Sequence, residues 1–288
     1  MTHPDFDLQG HRGAPGLFPE NTLDGFRAAA RLGVGTFELD VGTTRDGAVV
    51  VHHDPALNPN TTRDGMGRWL DGTGPLLRDL TLVQLREYDV GRLQPGTPYA
   101  ETYLGQAPQD GARVPTLDEV LALDATLRWN IELKVMPTHP GWTIPAEEMV
   151  ERVLHIVGAA AAGPRVALQS FDWRAPRHLR RIRPGIAAGW LTDARTVADA
   201  PLWLGRHIAG MADVPDAVAA EGGGAWAPYH ADLTDGLLDR AHDLGLRVIP
   251  WTVNAVEDMQ RLMDWGVDGL ITDWPDRAMP LLGRPGVA

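Results

Sequence analysis

Thr36-Phe37-Glu38-Leu39-Asp40-Val41 and Asn130-Ile131-Glu132-Leu133-Lys134-Val135 carry one and the same pattern of alternation. Successive side chains of a β-strand point to opposite faces. Phe37, Leu39 and Val41 therefore share one face, and Thr36, Glu38 and Asp40 the other. Ile131, Leu133 and Val135 likewise oppose Asn130, Glu132 and Lys134. The apolar faces suit packing beneath helices. The polar faces, on neighbouring strands, bring three carboxylates and an ammonium to one place.

Working outward from these two runs, strand-like segments recur at 7–11, 165–170, 186–191, 225–229, 247–253 and 269–273, which with 36–41 and 127–135 makes eight. Helical stretches lie between them at 22–32, 146–160, 173–182, 234–244, 256–265 and 277–282, with 194–220 unassigned in detail and Asn21 as the expected N-cap of the first. Eight strands, each followed by a helix, is the count of an α/β (β/α)8 TIM barrel, a fold of typically ~250 residues. A doubly wound open sheet is the alternative, because periodicity does not report closure. Two segments break the alternation. Thr43-Thr44-Arg45-Asp46-Gly47 reads as a turn into a return strand at 48–52, and 55–114 is rich in Gly, Pro, Asp and Thr. The expectation is one catalytic domain over 1–288 with 55–114 inserted after the second barrel strand, packed around Trp69, Tyr88, Tyr99 and Tyr103.

Composition narrows the function classes. The chain has 288 residues, 44% hydrophobic and 22% charged, with a formal charge of −12. A nucleic-acid backbone or an anionic membrane would be repelled overall, so neither is an expected partner. Cysteine is absent, which removes thiol nucleophiles, disulfides, and Cys-ligated zinc or iron–sulfur clusters. Met1-Thr2-His3-Pro4-Asp5 lacks the basic start and apolar core of a secretory signal, and no apolar run reaches the ~18 residues of a membrane helix. The expected location is the cytoplasm, without stable membrane association.

Three carboxylates at one barrel rim repel; at about 4 Å and an effective dielectric of about 20, each pair costs roughly 4 kcal/mol. Protonation or a bound cation relieves that, and an all-oxygen set of Glu38, Asp40 and Glu132 suits Mg²⁺ or Ca²⁺. Lys134 is the single lysine beside 25 arginines. It is a compact point charge fit to touch a phosphate oxygen in a tight site. His11-Arg12-Gly13 ends the first strand and Pro19-Glu20-Asn21 precedes a helix, so Arg12 is placed to fork onto an anionic oxygen. Pairing across the 45–47 turn sets His53 roughly opposite Leu39 and Asp40 and turns His52 away. His11 and His53 then make a natural acid–base pair, since imidazole titrates near neutrality. Trp251 and Asn254, ending the seventh strand, are candidates for the pocket wall; the other histidines (His3, His139, His155, His178, His207, His230 and His242) read as structural. Gly222-Gly223-Gly224 lacks the Lys-Ser/Thr of a P-loop, and no G-x-G-x-x-G or G-x-S-x-G is present.

His11-Arg12-Gly13, Glu20-Asn21, Glu38-Leu39-Asp40-Val41, Thr44-Arg45-Asp46-Gly47, His53-Asp54, Glu132-Leu133-Lys134, Gln169-Ser170-Phe171, Trp251-Thr252-Val253-Asn254 and Asp268-Gly269-Leu270-Ile271-Thr272-Asp273, in this order, resemble the glycerophosphodiester phosphodiesterase family. The resemblance implies a TIM barrel that uses a divalent cation to hydrolyse small glycerophosphodiesters to glycerol 3-phosphate and an alcohol. It implies His11 and His53 as the acid–base pair and Glu38, Asp40 and Glu132 as metal ligands. Arg12 and Lys134 would hold phosphate oxygens, with Glu20 in a supporting role. Two alternatives stay open: a related barrel phospholipase or lyase acting on lipid head groups, which calls for an apolar rim, and a non-catalytic binding protein, which calls for loss of a histidine or an acid. Oligomeric state is not legible.

Overall fold

The computed structural model of the chain describes residues 6–283. His3 and the stretch read for a secretory signal lie outside them. Among the described residues no helix is long and apolar enough to cross a membrane.

Nine strands form one sheet: β1 Asp7–His11, β2 Thr36–Thr43, β3 Val49–Val51, β4 Arg128–Leu133, β5 Val166–Ser170, β6 Ala187–Thr192, β7 Ala225–Pro228, β8 Arg247–Val248 and β9 Gly269–Thr272. Eight run parallel in the order β8-β7-β6-β5-β4-β2-β1-β9, and β3 pairs antiparallel with β2. The remaining seam is bridged by backbone hydrogen bonds: Asp268 N–H to Val248 O at 3.0 Å, Ile271 N–H to Pro250 O at 3.0 Å and Val253 N–H to Ile271 O at 2.9 Å. The architecture is therefore the (β/α)8 barrel and not the open sheet. The seventh barrel strand is regular over two residues rather than the expected 247–253, because Pro250 has no N–H to give the ladder.

The outward alternation of β2 and β4 builds the core. Phe37 and Trp129 lie side by side with rings 5.6 Å apart, and Phe26 of the helix Leu23–Arg31 meets both edge-on at 5.5 and 5.3 Å. That helix is capped by Thr22, whose hydroxyl accepts from Gly25 N–H at 3.0 Å, and not by Asn21 as the sequence predicts. Asn21 takes a left-handed φ of 52° and turns its amide toward the barrel. The stretch 194–220 resolves into short helices Ala194–Ala198, Ala200–Trp203 and Val214–Ala220, and the last helix starts at Pro275, two residues earlier than expected.

Segment 55–114 leaves the barrel after β3 and carries a small core of its own, Leu57, Leu77, Leu85, Val90 and Val114, beneath Val50. Tyr88 packs on this cluster and Trp69 lies under the Arg63 guanidinium at 5.6 Å. Tyr99 and Tyr103, expected in the same packing, point back into the barrel mouth instead.

Candidate active site

Strand register sets the site. His11 pairs with Glu38, and Asp40 with Glu132, as Cα partners across β1–β2 and β2–β4. Their inward side chains converge at the C-terminal end of the barrel, the end where such folds place their chemistry. Glu38, Asp40 and Glu132 are all buried, and each offers an oxygen within 4.8 Å of the others. Lys134, one residue past β4, sets its Nζ 2.8 Å from Glu132 Oε1 and 3.4 Å from Asp40 Oδ1.

Arg12 is held from several sides. After β1 the chain curls back so tightly that a Cβ on Gly10 would sit 2.1 Å from Gly13 O. Arg12 occupies this turn with φ at 48°, a left-handed conformation that costs on the order of 1–3 kcal/mol for a non-glycine residue. Its NH1 donates to Glu20 Oε1 at 3.1 Å, and its Nε lies 3.4 Å from Asp40 Oδ2, buried and without a hydrogen-bond partner. Glu20 thus grips Arg12, while Asn21 donates to Asp40 Oδ2 at 3.0 Å.

Both histidines are held through Nδ1 by a carboxylate. His11 Nδ1 is 2.5 Å from Asp273 Oδ1, and His53 Nδ1 is 2.7 Å from Asp54 Oδ1. His53 lines the cavity and His52 does not, as expected, but for a different reason. Pairing with β2 does set His52 level with Asp40, its N–H donating to Asp40 O at 3.0 Å, and strict strand parity would give its side chain the inward face. The strand ends at Val51, and a bend over 53–55 swings His53 inward, while His52 Nδ1 turns to Asp54 O at 2.9 Å.

The cavity measures about 260 Å³. Its lining joins His11, Arg12, Glu38, His53, Glu132, Lys134 and Arg195 with the apolar Phe171, Leu191, Trp203, Trp251 and Ile271. Trp251 stands in the wall as expected, its ring edge-on to Phe171 at 5.3 Å. Asn254 does not. Its Nδ2 donates to Asp273 Oδ2 at 2.6 Å, and its Oδ1 accepts from Asp273 N–H at 3.0 Å and from the Thr272 hydroxyl at 3.2 Å, so the amide holds the Thr272–Asp273 turn.

Burial, then Asp40 and Glu132, push the Glu38 carboxyl up to about 8, against the pull of His11 and Arg12. Burial opposes ionisation of Asp40 too, but Lys134, His53 and Arg12 together hold it well below the usual carboxylate range. Burial, then Arg12 and Lys134, drive His53 down to about 4 despite Asp40 and Asp54. For His11, burial and Arg12 pull downward, and the charge and hydrogen bond of Asp273, with Glu38, outweigh them and raise it. The carboxylate trio fits a hard divalent cation: the donors are all oxygen, they converge, and Asp40 Oδ1 is buried with no hydrogen-bond partner.

Sequence reasoning gave no place in the site to Asp54, Asp273, Asn21, Tyr99 or Tyr103, nor to Gln169, whose Nε2 donates to Glu38 Oε1 at 3.4 Å. Asp54 had a signal in its adjacency to His53. Tyr99 and Tyr103 had one in their i, i+4 spacing, which sets two side chains on one helix face.

Known proteins resemble this chain over most of its length. The profile of the glycerophosphoryl diester phosphodiesterase family matches residues 11–277. A glycerophosphodiester phosphodiesterase of Bacillus subtilis (strain 168) is 31% identical over 273 residues, covering 92% of this chain and 83% of its own. A solved structure from Silicibacter pomeroyi DSS-3, whose assignment as a glycerophosphoryl diester phosphodiesterase is provisional, superposes with a TM-score of 0.89 at 38% identity, covering 98% of this chain and 94% of its own. An Oleispira antarctica phosphodiesterase, solved with the product sn-glycerol-3-phosphate, shares the fold with a TM-score of 0.70 at 21% identity, covering 96% of each chain.

Proposed function

Since this chain belongs to the glycerophosphoryl diester phosphodiesterase family, and is an enzyme of it, we propose that it hydrolyses small glycerophosphodiesters to glycerol 3-phosphate and an alcohol, using His11 and His53 as its acid–base pair. The observation that carries this reading is that two carboxylate-held imidazoles line one cavity together with Arg12, Lys134, Glu38 and Glu132.

Arg12, whose buried Nε makes no hydrogen bond, and Lys134 bind and orient the phosphodiester oxygens. His53, neutral at pH 7, takes the proton of the attacking hydroxyl at its free Nε2, with Asp54 fixing the tautomer at Nδ1. His11, raised by Asp273, carries the proton that the leaving alkoxide receives. Glu38, Asp40 and Glu132 would hold a divalent cation, Mg²⁺ or Ca²⁺, which supplies positive charge against the phosphate as negative charge builds. Phe171, Trp203 and Trp251 exclude water from the carbon-bearing parts of the substrate. The chain acts as one catalytic unit with 55–114 inserted, and the cytoplasm is its expected place of action, which cell fractionation tests.

The deciding experiment is release of glycerol 3-phosphate from a panel of glycerophosphodiesters, with and without chelator and with Mg²⁺ or Ca²⁺ restored. Release that needs the cation supports the reading. No release from any diester in the presence of either metal refutes it.

A further inference from the structure

Two carboxylates in the site act as bridges, and both are gripped from the same short helix of the insertion. Asp273 Oδ1 pairs with His11 Nδ1 at 2.5 Å, and its Oδ2 accepts from the Tyr103 hydroxyl at 3.0 Å. Glu20 accepts at Oε1 from Arg12 NH1 at 3.1 Å and at Oε2 from the Tyr99 hydroxyl. Both tyrosines belong to the turn of helix Pro98–Thr102 and its C-cap, which Thr97 starts by accepting from Ala100 N–H. Their rings meet edge-on at 5.4 Å.

The segment is fastened to the barrel mouth on its far side. Ala107 N–H donates to Leu17 O at 2.8 Å, Gln106 Nε2 donates to Pro15 O at 2.8 Å, and the Tyr103 ring packs at 6.3 Å from Trp274. Neither hydroxyl lines the cavity.

We propose that Tyr99 and Tyr103 are positioning residues, through which the insertion sets Arg12 by way of Glu20 and His11 by way of Asp273. The inference rests on the roles given above to His11 and Arg12, and adds that the inserted segment, far from them in sequence, is part of what aims them. Burial beside Asp273 and Glu20 raises both phenols far above their ordinary range, so each stays a donor at every working pH. A phenol hydrogen bond to an ionised carboxylate is among the stronger ones and fixes the rotamer of that carboxylate. Asp273 keeps a second donor, Asn254, so loss of Tyr103 loosens the bridge without abolishing it.

The two bridges end on different functions, so their effects separate. Tyr103→Phe is expected to lower kcat about tenfold with KM within about twofold, because it loosens the proton-transfer geometry of His11. Tyr99→Phe is expected to raise KM about tenfold and to weaken glycerol 3-phosphate binding by a similar factor in calorimetry, because it loosens the Arg12 grip. Melting temperatures of both variants, which lose one hydroxyl each, serve as the control for folding. A double-mutant cycle adds the second test: in an Asp273→Ala background, Tyr103→Phe should cause no further loss. Wild-type turnover with both tyrosine variants within about twofold of it overturns the inference and leaves the functional reading standing. So does a full further loss from Tyr103→Phe in the Asp273→Ala background. A wild-type chain that turns over no glycerophosphodiester removes the functional reading, and this inference with it.

Discussion

Replacing Lys134 by Met tests the electrostatics of the site most directly. The ammonium sits 2.8 Å from Glu132 and 3.4 Å from Asp40, nearly buried, in a chain where it is the single lysine. At 2.8 Å and an effective dielectric of about 20, its gross attraction to Glu132 is about 6 kcal/mol. Much of that is offset by desolvation, and breaking a buried pair from one side typically costs about 3–5 kcal/mol. At roughly 2 °C per kcal/mol for a chain of this size, the chelated Lys134→Met protein should melt roughly 6–10 °C below wild type. Added Mg²⁺ should recover more of that difference than it adds to wild type, since a cation replaces the missing positive charge between the carboxylates. Turnover tells the other half. Losing one preorganised donor to the phosphate is worth about 2.7–4 kcal/mol, or 10²–10³ in kcat. Lys134→Arg keeps the charge but widens it into a planar fork, and should still lose most of that activity. Arg240→Lys, on an exposed ion pair with Asp216, is the reference and should change nothing measurable. Thermal unfolding with and without Mg²⁺, beside steady-state kinetics, reads all of this. Wild-type melting and kcat/KM in both Lys134 variants would refute the reasoning.

Exhaustive chelation of the wild-type protein should abolish turnover and lower the melting temperature, both restored by Mg²⁺ or Ca²⁺; unchanged activity and melting would rule out a cation at Glu38, Asp40 and Glu132. His53→Ala should lower kcat by about 10²–10⁴ and His52→Ala by little, read by steady-state kinetics; equal losses would mean that the bend at 53–55 does not decide which ring enters the cavity. In chelated protein, the His53 contribution to stability should fall as pH drops from 6.5 toward 4, because burial lowers His53 from 6.5 to about 4 and the unfolded chain binds that proton first, while Glu38, raised to about 8, works in the opposite direction over the same window. The contribution is fully present above pH 6.5 and is at most about 3 kcal/mol, less for a ring that is partly solvated. Chelated His53→Gln should therefore lose less stability than wild type as pH falls across that window, and an identical slope would show that His53 is not the titrating group.

Strand parity is a local property, and it is why so much of the site was legible from the amino-acid order. Which face Glu38, Asp40, Glu132 and Lys134 occupy follows from alternation within six residues, and eight strand-like runs separated by helices are the count of a barrel, whose closure the tertiary structure supplies. The charge conflict among the acids and the lone lysine beside them needed no coordinates either. What the tertiary structure decided lies at the ends of elements, where local rules lapse. Asn21 reads as a helix cap, but Thr22 takes the cap and frees the Asn21 amide for Asp40. His53 enters the cavity because β3 stops at Val51, and parity within the strand would have chosen His52. Asn254 reads as pocket wall and is spent on Asp273. Asp273 lies 262 residues from the histidine that it orients, and 170 from the tyrosine that holds it. A hydrogen bond needs its partners within about 3 Å, and only barrel closure and the return of the insertion bring residues that distant in sequence so close together.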